Sequence, residues 1–311
     1  MEIRIFSGSA NLPLAMAVCQ TLGLSLGERI LERFLDTELH VEIQENVRGC
    51  DVYLIQSTSP PVDQNILEII FLADACRRAG AGRITAVVPY FGYARQDRRA
   101  RGGEPVGARV IMDLIKTTGS QRVVAVDLHS AALEAAFSVS LEHLTAVPLL
   151  AEAVRSSIAA ETVIVSPDLG AAKLAERYAK RFGLSVVILH KHRLSGESVA
   201  VQSMLGDVQG RPVVIVDDMI STGATIEAAV NTVAGAGSLS PITVVATHAL
   251  LTGVAVQRLR RLDIDKVITT DSIAAAPNID LPMQVVSLAP LLADAIGRLH
   301  ENKSLDALIW P

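Results

Sequence analysis

The chain has 311 residues, 50% of them hydrophobic and 20% charged. At roughly 100–200 residues per domain, that points to two domains with a core each. Its 28 basic and 33 acidic residues leave a net charge of −5, which excludes the bulk phosphate neutralisation that general nucleic-acid binding needs.

From the N-terminus, "MEIRIFSGSANLP" has no basic start followed by an apolar core, so no signal peptide is expected. The first clear strand is Val52–Gln56, followed by the amphipathic segment "NILEIIFLADACRRAG" (Asn65–Gly80) and a strand at Ile84–Pro89. The run "RQDRRAR" (Arg95–Arg101) then offers a locally basic loop. Further strands are predicted at Val123–Asp127, Val163–Ser166, Val186–Leu189, Val213–Asp217, Ile242–Ala246 and Val267–Thr270, with a helix over "AAKLAERYAKRFG" (Ala171–Gly183). The longest uncharged run, Ser240–Gln257, carries Pro, His, Thr and Gly. It falls short of the about 20 apolar residues of a membrane span and reads as a buried strand turning into a helix. Cys19, Cys50 and Cys76 have no CxxC spacing and are expected to be buried thiols of a cytosolic protein.

Near-continuous apolar strands alternating with helices imply α/β architecture, with parallel sheets covered on both faces. In such sheets ligands bind beyond the carboxyl ends of the strands. There is also an internal echo. "VVAVDLHSAALEAAF" (Val123–Phe137) resembles "VVIVDDMISTGATIEAAV" (Val213–Val230) with three loop residues removed. Two related halves joined near residues 145–150 would explain it, and so would chance between two α/β units.

The most chemical stretch is "PVVIVDDMISTGATI" (Pro212–Ile226). Ser221, Thr222, Gly223, Ala224 and Thr225 can wrap an anion with backbone N–H groups and hydroxyls where a helix begins. Asp217 and Asp218 would repel that anion, unless they face another part of the ligand. Sugar hydroxyls donate and carboxylates accept, so a sugar phosphate satisfies both halves: phosphate in the loop, hydroxyls or a bound Mg²⁺ at the acids. The bland alternative is a helix N-cap with acids in its first turn.

This stretch resembles the 5-phosphoribosyl-1-pyrophosphate (PRPP) binding motif, shared by phosphoribosyltransferases and ribose-phosphate pyrophosphokinases. "ENVRGCDVYLIQS" (Glu45–Ser57), "AGRITAVVPYFGYARQDRR" (Ala81–Arg99), "VDLH" (Val126–His129) and "VSPDLGAAK" (Val165–Lys173) resemble segments of the second family in its order and spacing. Plain phosphoribosyltransferases lack "PYFGYARQDR". The resemblance implies two phosphoribosyltransferase-like domains, 1–146 and 147–311, each a mostly parallel sheet flanked by helices, with the last helix able to pack on the first. It also implies transfer of the β,γ-pyrophosphoryl group of Mg-ATP to the 1-hydroxyl of ribose 5-phosphate, giving PRPP and AMP.

Residue roles follow from the same resemblance. Ser221–Thr225 would hold the 5-phosphate, and Asp217 and Asp218 the ribose hydroxyls. "RFLDTE" is similar to the family's Arg-Phe-Ser-Asp-Gly-Glu, so Phe34, Asp36 and Glu38 would line ATP from a neighbouring subunit. Arg95 and Gln96 match an ATP-contacting pair, and His129 and Asp168 match Mg²⁺ positions. A catalytic lid is expected over "ILHKHRLSGESV" (Ile188–Val199), where Lys191 and Arg193 would neutralise the transition state. The partners implied are ATP, ribose 5-phosphate and other copies of the chain, a dimer at minimum and up to a hexamer, with no nucleic acid, no membrane and a cytoplasmic location.

Several positions depart from the family pattern. Leu35 and Thr37 differ in the ATP segment. Ser221 and Ala224 replace Asp and Gly in the loop, which suits phosphate as long as Ala224 needs no positive φ. "RRARGGEPVGAR" (Arg98–Arg109) differs from the phosphate-activated class. The competing readings are a non-catalytic regulatory subunit, a phosphoribosyltransferase and a PRPP-sensing regulator. Each is disfavoured by something visible: Lys191, Arg193, His129 and Asp168 are present, the ATP elements are present, and no basic DNA-binding module is found.

Overall fold

A computed structural model describes residues 1–136, 138–193, 199–276 and 279–309, with backbone alone at 131, 135–136, 191–193 and 199–202. The chain forms two units. The first comprises Met1–Thr145, Ser272–Ala274 and Ser287–Pro311, and the second Ala146–Asp271 and Ala275–Val286.

In the first unit the order is β1 (Ile3–Ser7), α1 (Leu12–Leu22), β2 (Arg29–Arg33), β3 (Leu39–Ile43), β4 (Asp51–Ile55), α2 (Val62–Arg78), β5 (Arg83–Val88), α3 (Gly107–Thr117), β6 (Arg122–Val126) and β7 (Ser140–Leu144). Five strands form one parallel sheet in the order β1-β4-β5-β6-β7. Their apolar faces, including Phe6, Leu54, Ala86 and Ala125, are buried beneath α2 and α3 residues such as Leu72 and Met112. β2 and β3 leave this sheet and pair with each other as an antiparallel hairpin.

The second unit contains α4 (Val147–Val154), β8 (Val163–Ser166), α5 (Ala172–Phe182), β9 (Ser185–Arg193), β10 (Val199–Leu205), β11 (Val213–Ile220), α6 (Ala224–Gly235), β12 (Ile242–Ala249), α7 (Ala255–Leu259), β13 (Ile264–Thr270) and β14 (Met283–Val286). Its seven strands run β10-β9-β8-β11-β12-β13-β14. Only β10, at the edge, is antiparallel to its neighbour. The chain progresses outward in one direction from β8 and in the other from β11. Between these two strands the order reverses, and crossovers on opposite faces leave a crevice at their carboxyl ends.

The chain then returns to the first unit as α8 (Ala289–His300). The expected second domain, 147–311, is therefore shortened, because 287–311 belongs with the first unit. The reason is physical. α8 buries Leu292 and Ile296 and packs on α1. At the start of β4 the fully buried carboxylate of Asp51 also needs partners that only β5, Tyr53 and α8 supply. Arg83 binds it with two nitrogens, Nε at 2.7 Å, while His300 Nδ1 lies at 2.9 Å and the Tyr53 hydroxyl donates at 3.0 Å. Burial alone would raise the Asp51 carboxyl. The Arg83, His300 and Tyr53 bonds outweigh it and hold the group below the usual carboxylate range.

All eight expected strands form, several of them longer than predicted. β11 runs on to Ile220 instead of stopping at Asp217, because β12 continues to pair with it as far as Ile220↔Ala249 and both Met219 and Ile220 are buried. The expected lid is partly strand: Ile188–Arg193 continues β9 and Val199 opens β10, while 194–198, with Gly196, lie outside the described residues. The uncharged run from Ser240 becomes β12 followed by α7, and no described helix is long and apolar enough to cross a membrane.

Candidate active site

At the reversal in the second unit, β8 delivers Asp168 two residues past its end and β11 carries Asp217 and Asp218. Ser166 Oγ donates to the Asp168 carbonyl at 2.6 Å, and Asp168 Oδ1 accepts the Ala171 N–H at 3.1 Å, which fixes the carboxylate at the entry to α5. Neighbours on a regular strand point to opposite faces. Here the Asp218 N–H donates to Asp217 Oδ1 at 2.9 Å, and the two carboxyl groups act on each other. The Asp217 carboxyl is held well above the usual carboxylate range, first by burial and then by the charges of Asp218 and Asp168. Hydrogen-bond donors or a cation placed among these three acids would lower their mutual repulsion.

Beyond the acids the chain turns through Ser221 and Thr222 into Gly223, at φ 76°, and α6 starts at Ala224. The left-handed conformation thus falls on the glycine. Ala224 has ordinary helical backbone, so the substitution noted in the sequence costs the loop nothing at that position. The first N–H groups of α6 have no partner within the helix. An anion there would meet N–H groups and the positive end of the helix dipole.

In the first unit, Arg95 and Gln96 follow β5 and His129 follows β6, and all three are exposed at the carboxyl end of the sheet. The Gln96 N–H donates to the Tyr93 carbonyl at 2.8 Å, and its carbonyl accepts the Ala108 N–H at 3.2 Å, which ties the segment to α3. Asp127, at φ 38°, donates its N–H to the Leu144 carbonyl at 3.0 Å. Next to it, the Leu128 N–H donates to His143 Nε2 at 2.8 Å, and His143 Nδ1 meets Glu134 Oε1 at 2.8 Å. Nε2 thus serves as the acceptor of the amide, and Nδ1 faces the carboxylate.

Phe34, Asp36 and Glu38 lie at the tip of the β2–β3 hairpin, apart from the larger sheet. The Phe34 N–H donates to the Glu38 carbonyl at 3.0 Å, and Asp36 Oδ1 accepts the Glu38 N–H at 3.1 Å. Phe34 is half exposed and stacks on His40, with ring centroids 5.2 Å apart and planes 28° apart. An aromatic face backed by a second ring suits a planar heterocycle. Thr37, where the family pattern has Gly, holds φ at 75°. A β-branched residue there costs about 1–3 kcal/mol.

The structure therefore gathers Asp168, Asp217, Asp218 and Ser221–Thr225 in one crevice. It sets Arg95, Gln96 and His129 at adjacent strand ends of the other unit and puts the hairpin residues on a sheet of their own. Lys191 and Arg193 fall in the last three residues of β9, and their side chains lie outside the described residues. Among the described residues, no three His, Cys, Asp or Glu side chains sit close enough to hold a metal unaided. His143, Glu227 and Arg258 contact the site's loops, and the sequence reading missed them. His143 and Arg258 come from segments remote from the loops they touch, so no local spacing could have marked them, while Glu227 lies next to its loop in the chain and is singled out only by its pairing with Arg258.

Comparison with known proteins gives a consistent result. Residues 3–119 match the family description "N-terminal domain of ribose phosphate pyrophosphokinase", and residues 144–283 match "Phosphoribosyl transferase domain". The chain is 41% identical over 309 residues to the ribose-phosphate pyrophosphokinase of Gloeobacter violaceus, covering 99% of this chain and 93% of that one. To the protein of the same name from Thermotoga maritima it is 39% identical over 310 residues, covering 99% and 98%. Among solved structures, phosphoribosylpyrophosphate synthetase from Mycobacterium smegmatis matches 97% of this chain and 100% of its own, at a TM-score of 0.91 and 36% identity.

Proposed function

Since the chain belongs to the ribose-phosphate pyrophosphokinase family, we propose how its own residues divide the work of making PRPP and AMP from Mg-ATP and ribose 5-phosphate. One observation carries the assignment: a phosphate-type loop and three interacting carboxylates share the crevice where the strand order reverses. The N–H groups and hydroxyls of Ser221, Thr222, Gly223, Ala224 and Thr225 take the 5-phosphate. Asp217 and Asp218 accept hydrogen bonds from the ribose hydroxyls, which orients the 1-hydroxyl for attack.

Mg²⁺ suits Asp168, because a divalent cation beside it would relieve the repulsion among three neighbouring carboxylates. With Asp217 and Asp218 given to the ribose, Asp168 is the one carboxylate of the three left for the ion, and the rest of the shell falls to substrate oxygens and water, which is how Mg²⁺ is usually held. His129 is the second residue assigned to it. When bound, the ion supplies charge neutralisation on the β and γ phosphates. Phe34, Asp36 and Glu38, with Arg95 and Gln96, hold the nucleotide, and Lys191 and Arg193 neutralise the charge that spreads over the transferring group.

The test of this reading is incubation with Mg-ATP and ribose 5-phosphate, scored for AMP and PRPP. ATP turnover without PRPP, or no turnover, would refute it. Within the site, Thr222→Val is expected to raise the KM for ribose 5-phosphate far more than that for ATP. A hydroxyl bond to a charged phosphate contributes about 1.5–3 kcal/mol. An effect confined to ATP would show that the loop holds the other substrate.

A half-exposed aromatic pair on a small separate hairpin supports sharing between copies, so we assign the chain to a homo-oligomer, with a dimer as the minimum. Specific activity is then expected to fall several-fold on dilution through the dissociation range. Constant activity in a demonstrated monomer would remove the hairpin from a neighbour's site. A cytosolic location fits the three buried free thiols, since disulfides are rare in that compartment.

A further inference from the structure

The carbonyl groups on the outside of the phosphate loop are held one after another. Ile220 O accepts the N–H groups of Leu250 at 2.9 Å and Leu251 at 3.1 Å, and Ser221 O accepts the Thr252 N–H at 3.0 Å. Thr222 O accepts from Arg258 Nη1 at 2.6 Å. The first three donors are backbone groups that follow β12. The fourth is a side chain from α7, so it is the one that a substitution can remove.

A trans peptide points its C=O and N–H in opposite directions, and the Thr222–Gly223 bond is not among the cis peptides of the chain. Holding Thr222 O toward α7 therefore turns the Gly223 N–H away from α7, to the side on which Ser221 and Thr222 also present their N–H groups. Gly223, at φ 76°, has no Cβ to resist rotation of that peptide. The glycine leaves that rotation open on its side, and the hydrogen bond to Arg258 favours the observed direction. In the other direction a carbonyl oxygen would face the bound anion, exchanging an attraction for a repulsion.

Arg258 is itself held in place. Its Nε pairs with Glu227 Oε2 at 2.7 Å, and Glu227 lies in the first turn of α6. The Arg258 side chain is only 19% exposed. One fork thus joins α7, α6 and the loop.

We propose that Arg258 is a positioning residue for ribose 5-phosphate. By fixing the Thr222–Gly223 peptide, it keeps the loop in its anion-accepting form without touching the ligand. The inference rests on the reading of Ser221–Thr225 as the phosphate site.

Arg258→Met keeps the length of the side chain and removes both donors. Its KM for ribose 5-phosphate is expected to rise about tenfold, with kcat and the KM for ATP within about twofold of the parent. Arg258→Lys, which keeps one donor, should recover at least half of that change on a logarithmic scale. Should Arg258→Met fold poorly, ribose 5-phosphate binding to Arg258→Lys and Arg258→Gln, measured by titration calorimetry, gives the same contrast between donors. An unchanged KM for ribose 5-phosphate, or parallel losses for both substrates with no recovery in Arg258→Lys, overturns the proposal. Thr222→Val measured alongside separates the two levels: an effect there on ribose 5-phosphate with none from Arg258→Met sinks the positioning role alone. An effect of Thr222→Val on ATP instead sinks the reading of the loop, and the proposal with it.

Discussion

Replacing Lys191 with alanine is expected to lower turnover about a thousandfold while ATP affinity stays within a few-fold of the parent. A transferring phosphoryl group spreads negative charge over its oxygens, and a positioned cation that meets this charge gives about 10³–10⁵ in rate. The cation acts on the transition state, so the loss should appear in kcat and not in ground-state binding. The residue's setting supports the role. Lys191 lies near the end of β9, its backbone paired with Val201 of β10, on the arm of the sheet next to β8 and Asp168. A charge mounted on a paired strand is better placed than one on a free loop. Single-turnover rates with saturating Mg-ATP and ribose 5-phosphate, beside nucleotide binding by calorimetry, decide the matter. Equal turnover would remove Lys191 from catalysis, and a large affinity loss at unchanged turnover would make it a binding residue.

Asp217→Asn is expected to act in opposite senses on activity and stability. The carboxylate accepts a ribose hydroxyl, and exchanging a charged acceptor for a neutral one should reduce kcat/KM by roughly tenfold to a hundredfold. In the folded protein without ligand, however, burial and the neighbouring Asp218 and Asp168 hold the Asp217 carboxyl well above its usual range. The folded state then binds its proton more tightly than the unfolded chain does, so stability falls as pH rises from about 4 through the folded pKa. Asparagine has no such ionisation. The variant should therefore melt higher than the parent at neutral pH, and the gap should close below about pH 4. Thermal melts of both proteins from pH 4 to 8, without ligand, test this. A variant less stable than its parent at pH 7 would show that the carboxylate carries a structural bond outweighing its repulsion.

The parts of the fold legible in the sequence were those where burial writes a pattern. Val163–Ser166 and Val213–Val216 are β-branched and enclosed on both sides, and they read plainly as strands. The hairpin strands Arg29–Arg33 and Leu39–Ile43 were missed because half their residues are polar or charged and neither strand is enclosed. β10 and β14 lie at sheet edges, where the pattern weakens for the same reason. At the site, Asp217, Asp218 and the following loop were visible because their chemistry is contiguous in the chain. The left-handed turn could not be assigned from sequence. Ala224 raised it as a question, and the geometry answers it by giving the positive φ to Gly223. Arg258 reaches its loop from 36 residues away and His143 from 15, and both are unremarkable where they stand in the chain.

The return of α8 to the first unit has a consequence for synthesis. Asp51 and Arg83 are 32 residues apart, but the His300 that completes their cluster lies 249 residues beyond Asp51. At about 5–20 residues per second, a ribosome needs roughly 10–50 seconds to bridge that interval. For all that time the nascent first unit holds a carboxylate short of a partner and an α1 surface with no helix to cover it. The second unit's strands are all made before α8, so it is free to fold first. The half of the protein that is translated earliest is the one that finishes last.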